Sequence, residues 1–334
     1  MIDTRKPLLV LDVYGIGDVV MSIPALYSIK RETKGKVVVV VRGETEGKVL
    51  GMCRYRWGDG MVKLREGRVR AAGRIRREKI NMVISLGINP AKTVAFSFAS
   101  GIFQIYGAHP YRRKKGLTTL PYKLFLPNPG RLHKEDLYLE LLRKLGFNPE
   151  IPEKPWISPP FFEDLHEYLK KLKKKHKRLI ALHVESVRRE KEWPLHHQRR
   201  WIEMMKKDFG VVLVGKGKKD IGKILGVEEG DFVDKLTLEE TSFVINEVDI
   251  LIGGDTGLMH IGEALSKPMV VLFGPTHPEI TAPRGEKIKI IKKDLPCSPC
   301  HYGRYTNCKN PVCMEEITPE EVRDACYEIA NTLH

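Results

Sequence analysis

Five consecutive valines, Val37 to Val41, limit what this chain can fold into more than any other stretch. β-Branched side chains are stiff at χ1 and suit a pleated backbone. A run of them with no polar alternation leaves no face for water, so it reads as a strand buried on both sides, the kind found in parallel sheets covered by helices. The preceding sequence agrees. Residues 7–13 (PLLVLDV) form an apolar run, Gly15-Ile16-Gly17-Asp18 makes a turn, and a helical pattern continues through Ile29. Strand, glycine turn, helix, strand is how an open α/β sheet begins.

The same rhythm continues along the chain. Further strands are expected at residues 82–85 and 102–106. Residues 67–79, with five Arg and one Lys against one Glu, read as an exposed helix. Residues 147–160 (FNPEIPEKPWISPP) are rich in proline and read as a linker. After them the pattern restarts, with strands expected at 179–184, 211–214, 250–252 and 269–273, and helices at 195–208, 238–248 and 257–265. Thr318-Pro319-Glu320-Glu321 is a helix start: a Thr cap, Pro in the first turn, Glu three residues on. A chain of 334 residues with 42% apolar content suits two domains better than one core. The expected division is 1–155, 156–317, and a C-terminal helix over 318–334 packing back on the N-terminal domain.

Charge narrows the partners. A formal net charge of +15 attracts anions. No aromatic-interleaved platform or recognised nucleic-acid module accompanies it, so nucleic acid is not an expected partner. No apolar stretch approaches the roughly 18 residues that a membrane span needs. The segment Met1 to Lys6 lacks the features of a signal peptide, so the expected location is cytoplasmic. The basic run Arg112-Arg113-Lys114-Lys115 is a candidate for receiving phosphates, and the arginine-rich helix for lying against an anionic bilayer. Residues 170–178 (KKLKKKHKR) read as the exposed end of a helix, where cations suit the dipole.

Three segments carry chemistry. In residues 249–275 a buried strand ends in Gly253-Gly254, and Asp255 and Thr256 precede a helix starting near Gly257. Thr256 is expected to cap that helix. The N–H groups of Gly257, Leu258 and Met259 would point at an anion, helped by the helix dipole, with His260 one turn in. Ligands of open α/β sheets bind beyond the carboxyl ends of the strands, where this turn lies. The second segment, Gly15-Ile16-Gly17-Asp18, is a poor dinucleotide fingerprint. Val20 stands where a third glycine belongs, and Arg42 follows the second strand where an acidic residue is expected. It reads better as a turn presenting Asp18, a carboxylate able to take a proton from a hydroxyl nucleophile. The third is Lys191-Glu192-Trp193-Pro194, whose lysine lies within reach of a phosphate near Thr256.

Together these segments resemble glycosyltransferase family 9, the heptosyltransferases of lipopolysaccharide synthesis. The stretches that carry the resemblance are VYGIGDVVMSIPAL (13–26), KEWP (191–194), GGDTGLMHIGEAL (253–265) and LFGPTHPEITAP (272–283), in the family's order. The resemblance implies the GT-B architecture, two Rossmann-like doubly wound α/β domains facing across a cleft. It implies an N-terminal domain for an anionic lipid-linked saccharide acceptor, touched by Gly17, Arg112, Arg113 and Lys114, and peripheral contact with the inner-membrane surface. The C-terminal domain would take ADP-heptose or a related nucleotide sugar. Asp18 matches the family's proposed base, and Lys191 a lysine on the donor's phosphates. Asp255, Thr256, Gly257, Leu258 and His260 match the donor turn, with Asp220 a candidate for the ribose. No cofactor is implied for catalysis. One stretch departs from the family: residues 183–190 read HVESVRRE where a small, Gly-containing segment is usual, which bears on the donor sugar.

Four of the six cysteines, Cys297, Cys300, Cys308 and Cys313, crowd the end of the chain. Structural zinc, two disulfides and free packed thiols are all open readings of that spacing. The alternatives to heptose transfer are a transferase or epimerase acting on another nucleotide sugar, a nicotinamide-dependent dehydrogenase, and a non-catalytic carbohydrate- or nucleotide-binding protein.

Overall fold

The computed structural model describes residues 2–11, 15–112, 114–184, 188–300, 308 and 310–333. The chain divides into two compact units, 1–157 and 158–334. The boundary falls in the proline-rich segment.

The first unit runs β1 (Leu8–Leu11), α1 (Ile16–Glu32), β2 (Val37–Val41), α2 (Glu44–Gly51), β3 (Gly60–Lys63), α3 (Arg68–Arg77), β4 (Met82–Leu86), α4 (Pro90–Ala99), β5 (Gln104–His109), β6 (Tyr122–Pro127) and α5 (Lys134–Leu145). Its six strands are parallel, in the order β3-β2-β1-β4-β5-β6. The valine run is β2, buried at every position as its sequence demands. β1 lies between β2 and β4, with Leu8 level with both Val37 and Met82. That central place is why β1 is also wholly apolar. The strands β3 and β6 were not expected. Both are edge strands with partly exposed residues, so neither carries a continuous apolar signal.

The second unit runs α6 (Glu163–Lys175), β7 (Leu179–His183), α7 (Leu195–Met205), β8 (Gly210–Val214), α8 (Ile221–Leu225), α9 (Leu238–Glu247), β9 (Ile250–Gly254), α10 (Gly257–Ala264), β10 (Met269–Phe273), α11 (Pro278–Thr281), β11 (Ile288–Lys292), α12 (Val312–Glu315) and α13 (Pro319–Asn331). Five parallel strands take the order β11-β10-β9-β7-β8. Thr318 caps α13 as its sequence predicts: its hydroxyl accepts the Glu321 N–H, and the Glu321 carboxylate accepts the Thr318 N–H. α13 contributes to the core of the second unit. Val322, Ala325, Cys326 and Ile329 are buried in the second unit's core, and the helix packs along α7 and over β9 and β10. The apolar face of α13 thus fills the core of its own unit. Among the described residues no helix is long and apolar enough to cross a membrane.

Candidate active site

Each unit holds a largely covered lysine–aspartate pair just past the carboxyl ends of its strands. In the second unit, β9 ends in Gly253-Gly254 and the chain turns through Asp255 and Thr256 into α10. A Cβ on Gly254 would meet the Lys191 carbonyl oxygen at 2.6 Å, so only glycine lets the turn at Arg189–Lys191 lie against the strand end. The Lys191 ammonium there donates to Asp255 Oδ2 at 2.7 Å and to the Asp255 carbonyl at 2.9 Å. Burial alone would raise the Asp255 carboxyl. The charges of Lys191 and His260, with the Lys191 hydrogen bond, hold it below its ordinary value instead. Behind it, His260 Nε2 lies 4.0 Å from Asp255 Oδ1, and His260 Nδ1 lies 3.2 Å from Glu263 Oε2. The remaining Glu263 oxygen accepts the Arg284 N–H at 2.9 Å. Lys191, Asp255, His260 and Glu263 thus form a row that runs from the turn into the core.

Several details depart from the sequence reading. Thr256 occupies the N-cap position, but its hydroxyl makes no cap bond. It pairs with His183 Nδ1 at 3.2 Å. Burial pushes the His183 imidazole down to about 4, so this partner is neutral near pH 7. The Met259 N–H is occupied by the Thr256 carbonyl, leaving those of Gly257 and Leu258 to open the helix. His260 is buried and faces inward rather than toward a ligand. Asp220 lies on an exposed loop with positive φ before α8, and no bond joins it to this row. A pocket of about 10 Å³ lies between His183, Lys191, Trp193 and Thr256, room for about one water. Of the unusual stretch at 183–190, residues 185–187 lie outside the described residues.

In the first unit Asp18 sits in the opening turn of α1, where its Oδ2 accepts the Gly15 N–H at 3.2 Å. Its Oδ1 pairs with the Lys134 ammonium. Sequence reasoning missed Lys134. The signal available was its place: a lysine in the first turn of a helix opposes the dipole and calls for a carboxylate partner. Burial works against the Lys134 charge, yet Asp18 holds its pKa well above the ordinary lysine value. The ammonium also lies over the Tyr111 ring, 5.4 Å from its centroid. His109, at the end of β5, accepts the Tyr111 N–H on Nδ1 at 3.2 Å. Burial, then the charges of Lys134 and Arg112, push its imidazole down to about 4. Asn128 secures the loop after β5, donating to the carbonyls of Pro110 and Leu132 at 3.0 and 2.8 Å. Arg112 therefore lies beside His109. Gly17 is half-buried in the first turn of α1, Lys114 is exposed, and Arg113 lies outside the described residues.

Among the described residues Cys297, Cys308 and Cys313 carry no disulfide, so the two-disulfide reading gains no support. The Cys313 thiol is pushed up by burial and then by Cys300, Cys297 and Cys308, which places the four in one corner of the second unit. Among the described residues, the group whose ligand atoms converge to within 4.8 Å is His196, His197 and Glu315, not the cysteines. The four sulfurs are gathered but not closed around one point, so the zinc reading gains no geometry here.

Residues 68–309 match the sequence family described as glycosyltransferase family 9 (heptosyltransferase). Over 112 residues the chain is 32% identical to lipooligosaccharide heptosyltransferase 2 of Haemophilus influenzae, a stretch covering 30% of this chain and 32% of that one. It therefore aligns with about a third of that relative's length. Over 328 residues it is 24% identical to lipooligosaccharide heptosyltransferase 2 of Campylobacter jejuni, covering 92% of this chain and 94% of that one. The solved structure of E. coli ADP-heptose lps heptosyltransferase II superposes with a TM-score of 0.71 at 17% identity, covering 98% and 99% of the two chains. At that identity the likeness establishes the GT-B fold, two parallel-sheet α/β domains.

Proposed function

Because the chain belongs to glycosyltransferase family 9, the heptosyltransferases, we propose that it is an inverting transferase that moves a heptose from ADP-heptose to a lipopolysaccharide core acceptor. The observation that carries this reading is the Lys191–Asp255 pair beside the first turn of α10. Departure of a nucleoside diphosphate leaves negative charge growing on its β-phosphate. A fixed ammonium and the N–H groups of Gly257 and Leu258 oppose that charge without reorganising. Asp255 positions Lys191, and His260 with Glu263 positions Asp255. Thr256 and Gly257 form the surface on which the diphosphate rests, and Asp220 is assigned to the ribose.

The first unit supplies the acceptor side. Asp18 takes the proton of the attacking hydroxyl as its oxygen bonds to the anomeric carbon and the diphosphate leaves. That one displacement inverts the centre. Lys134 holds the Asp18 carboxylate in place. Gly17, Arg112, Arg113 and Lys114 receive the anionic, lipid-linked acceptor, and the chain works in the cytoplasm with peripheral contact to the membrane. No step is routed through a metal or other cofactor.

The test is calorimetric titration of ADP, UDP, GDP and CDP into the purified protein, followed by product analysis with the matching nucleotide heptose. The expected result is tightest binding of ADP and release of ADP only when both heptose donor and acceptor are present. Tightest binding of UDP would move the reading to another nucleotide-sugar enzyme. Failure of every nucleoside diphosphate to bind would remove it.

A further inference from the structure

One cluster in the second unit has metal-ligand chemistry that the transfer does not use. His196 and His197 stand in the first turn of α7, and Glu315 ends α12. One ligand atom from each lies within 4.8 Å of the others. His196 Nε2 lies 3.0 Å, and His197 Nε2 3.7 Å, from the same carboxylate oxygen, Glu315 Oε1. Neighbouring residues on a helix ordinarily point apart. Here the two rings turn together, their centroids 4.2 Å apart. An ion pair with Glu315 would need only one of them. Two imidazoles and a carboxylate directed at one point form the donor set of a three-ligand zinc site, with the fourth position left to water.

The surroundings fix the cluster on one side and open it on the other. The His197 ring stacks on Trp193, 6.1 Å between centroids and 24° between planes. Trp193 is buried, and its indole N–H donates to the Ile317 carbonyl at 2.8 Å. His197 Nε2 also meets the Glu315 carbonyl oxygen at 2.8 Å. His197 is thus held from the core side, while His196 and Glu315 are exposed and reachable by an ion from solvent. Nitrogen donors with a single carboxylate suit a borderline-soft ion such as zinc. Magnesium and calcium take oxygen ligands instead.

We infer that His196, His197 and Glu315 bind one zinc ion, which fastens α12 to the start of α7. The ion takes the place of the proton that His197 Nε2 shares with the Glu315 carbonyl, and that proton moves to Nδ1. His197 and Glu315 stand 118 residues apart, so the ion bridges a long span of chain in the folded state. Its role is structural. The site is distinct in its ligands from the cysteines, and it takes no part in the transfer chemistry.

Calorimetric titration of Zn²⁺ into the purified full chain, stripped of metal beforehand, tests it. Zn²⁺ is expected to bind, and His196→Ala and Glu315→Gln are each expected to weaken that binding by roughly 10–100-fold. Both side chains are exposed, and unchanged thermal unfolding of each metal-free variant excludes misfolding as the cause. Co²⁺ in place of Zn²⁺ reads the ligand type. Imidazole and carboxylate ligands give visible bands without the near-ultraviolet charge-transfer band of thiolates, and the visible bands are expected to fade in both variants. No binding of Zn²⁺, or unchanged affinity in either variant, overturns the proposal; a thiolate band in the variants then assigns the ion to the cysteines. Mg²⁺ binding as tightly as Zn²⁺ would show attraction to the carboxylate alone and overturns it too. The readout needs neither donor nor turnover, so failure here and failure of the transferase reading are separable.

Discussion

The two lysine–aspartate pairs are built from the same two groups and present opposite ends. In the second unit the acid is the hidden partner: the Asp255 side chain is 8% exposed and Lys191 13%. In the first unit the base is hidden: the Lys134 side chain is 7% exposed and Asp18 22%. A pair that turns its ammonium outward offers a cation to an incoming anion. A pair that turns its carboxylate outward offers an acceptor for a proton. The backing differs to match. Asp255 is supported from behind by His260 and Glu263, so Lys191 has a fixed anchor. Lys134 is enclosed by Asp18 and the Tyr111 ring, so Asp18 is the more reachable member. In the transfer we propose, one motif serves leaving-group stabilisation in one unit and proton acceptance in the other, and burial sets which member is offered.

The most severe way to break this contrast is Asp18→Asn, which keeps shape and removes the base. Turnover is expected to fall by roughly 10²–10⁴ with ADP affinity unchanged. Steady-state rates and ADP titration check it, and an unchanged rate would show that Asp18 is not the base. Next comes Lys191→Met. Losing a fixed donor to the departing diphosphate is expected to lower kcat by about 10²–10³ and to weaken ADP binding, unlike the first variant. A Lys191 variant that loses turnover yet binds ADP normally would erase the distinction between the two pairs.

Two smaller effects sharpen the comparison. His183 beside Thr256 and His109 beside Lys134 both sit at about 4, below the ordinary 6.5. Each takes up a proton on unfolding at intermediate pH. Stability is therefore expected to fall as pH drops from about 6.5 towards 4, and His183→Gln should remove part of that slope in the second unit only. Asp255, held low in the fold, adds stability present above its unfolded value and lost as pH falls through its folded one, so Asp255→Asn should flatten the acid limb below that window. Denaturant melts across pH read both, and a parallel slope in wild type and variants would contradict them. The smallest effect is Thr256→Val. It removes the hydroxyl from His183 and is expected to cost about 1 kcal/mol with little change in turnover. A large loss of rate would place that hydroxyl on the substrate.

Much of this was legible along the chain because the signals are local. The valine run of β2, the Thr318 capping box and the turn after β9 each depend on residues within a few positions of one another. The edge strands β3, β6 and β11 were illegible because their burial is partial, whereas the edge strand β8, mostly buried, was read at 211–214. The partners at the site were illegible for another reason. Lys134 lies 116 residues from Asp18, and His183 73 residues from Thr256. Nothing near Thr256 in sequence says that its hydroxyl will leave the helix end for an imidazole on β7.

The sequence by itself determined two α/β units, the turn at Asp255, and Asp18 and Lys191 as candidates, but not Lys134. Apolar periodicity and turn chemistry are written residue by residue, so they survive without knowledge of the fold. Only the tertiary structure decided which member of each pair faces water, which helix end is capped and which is occupied otherwise, and where α13 packs. Exposure is set by what other segments cover, and those segments come from distant parts of the chain.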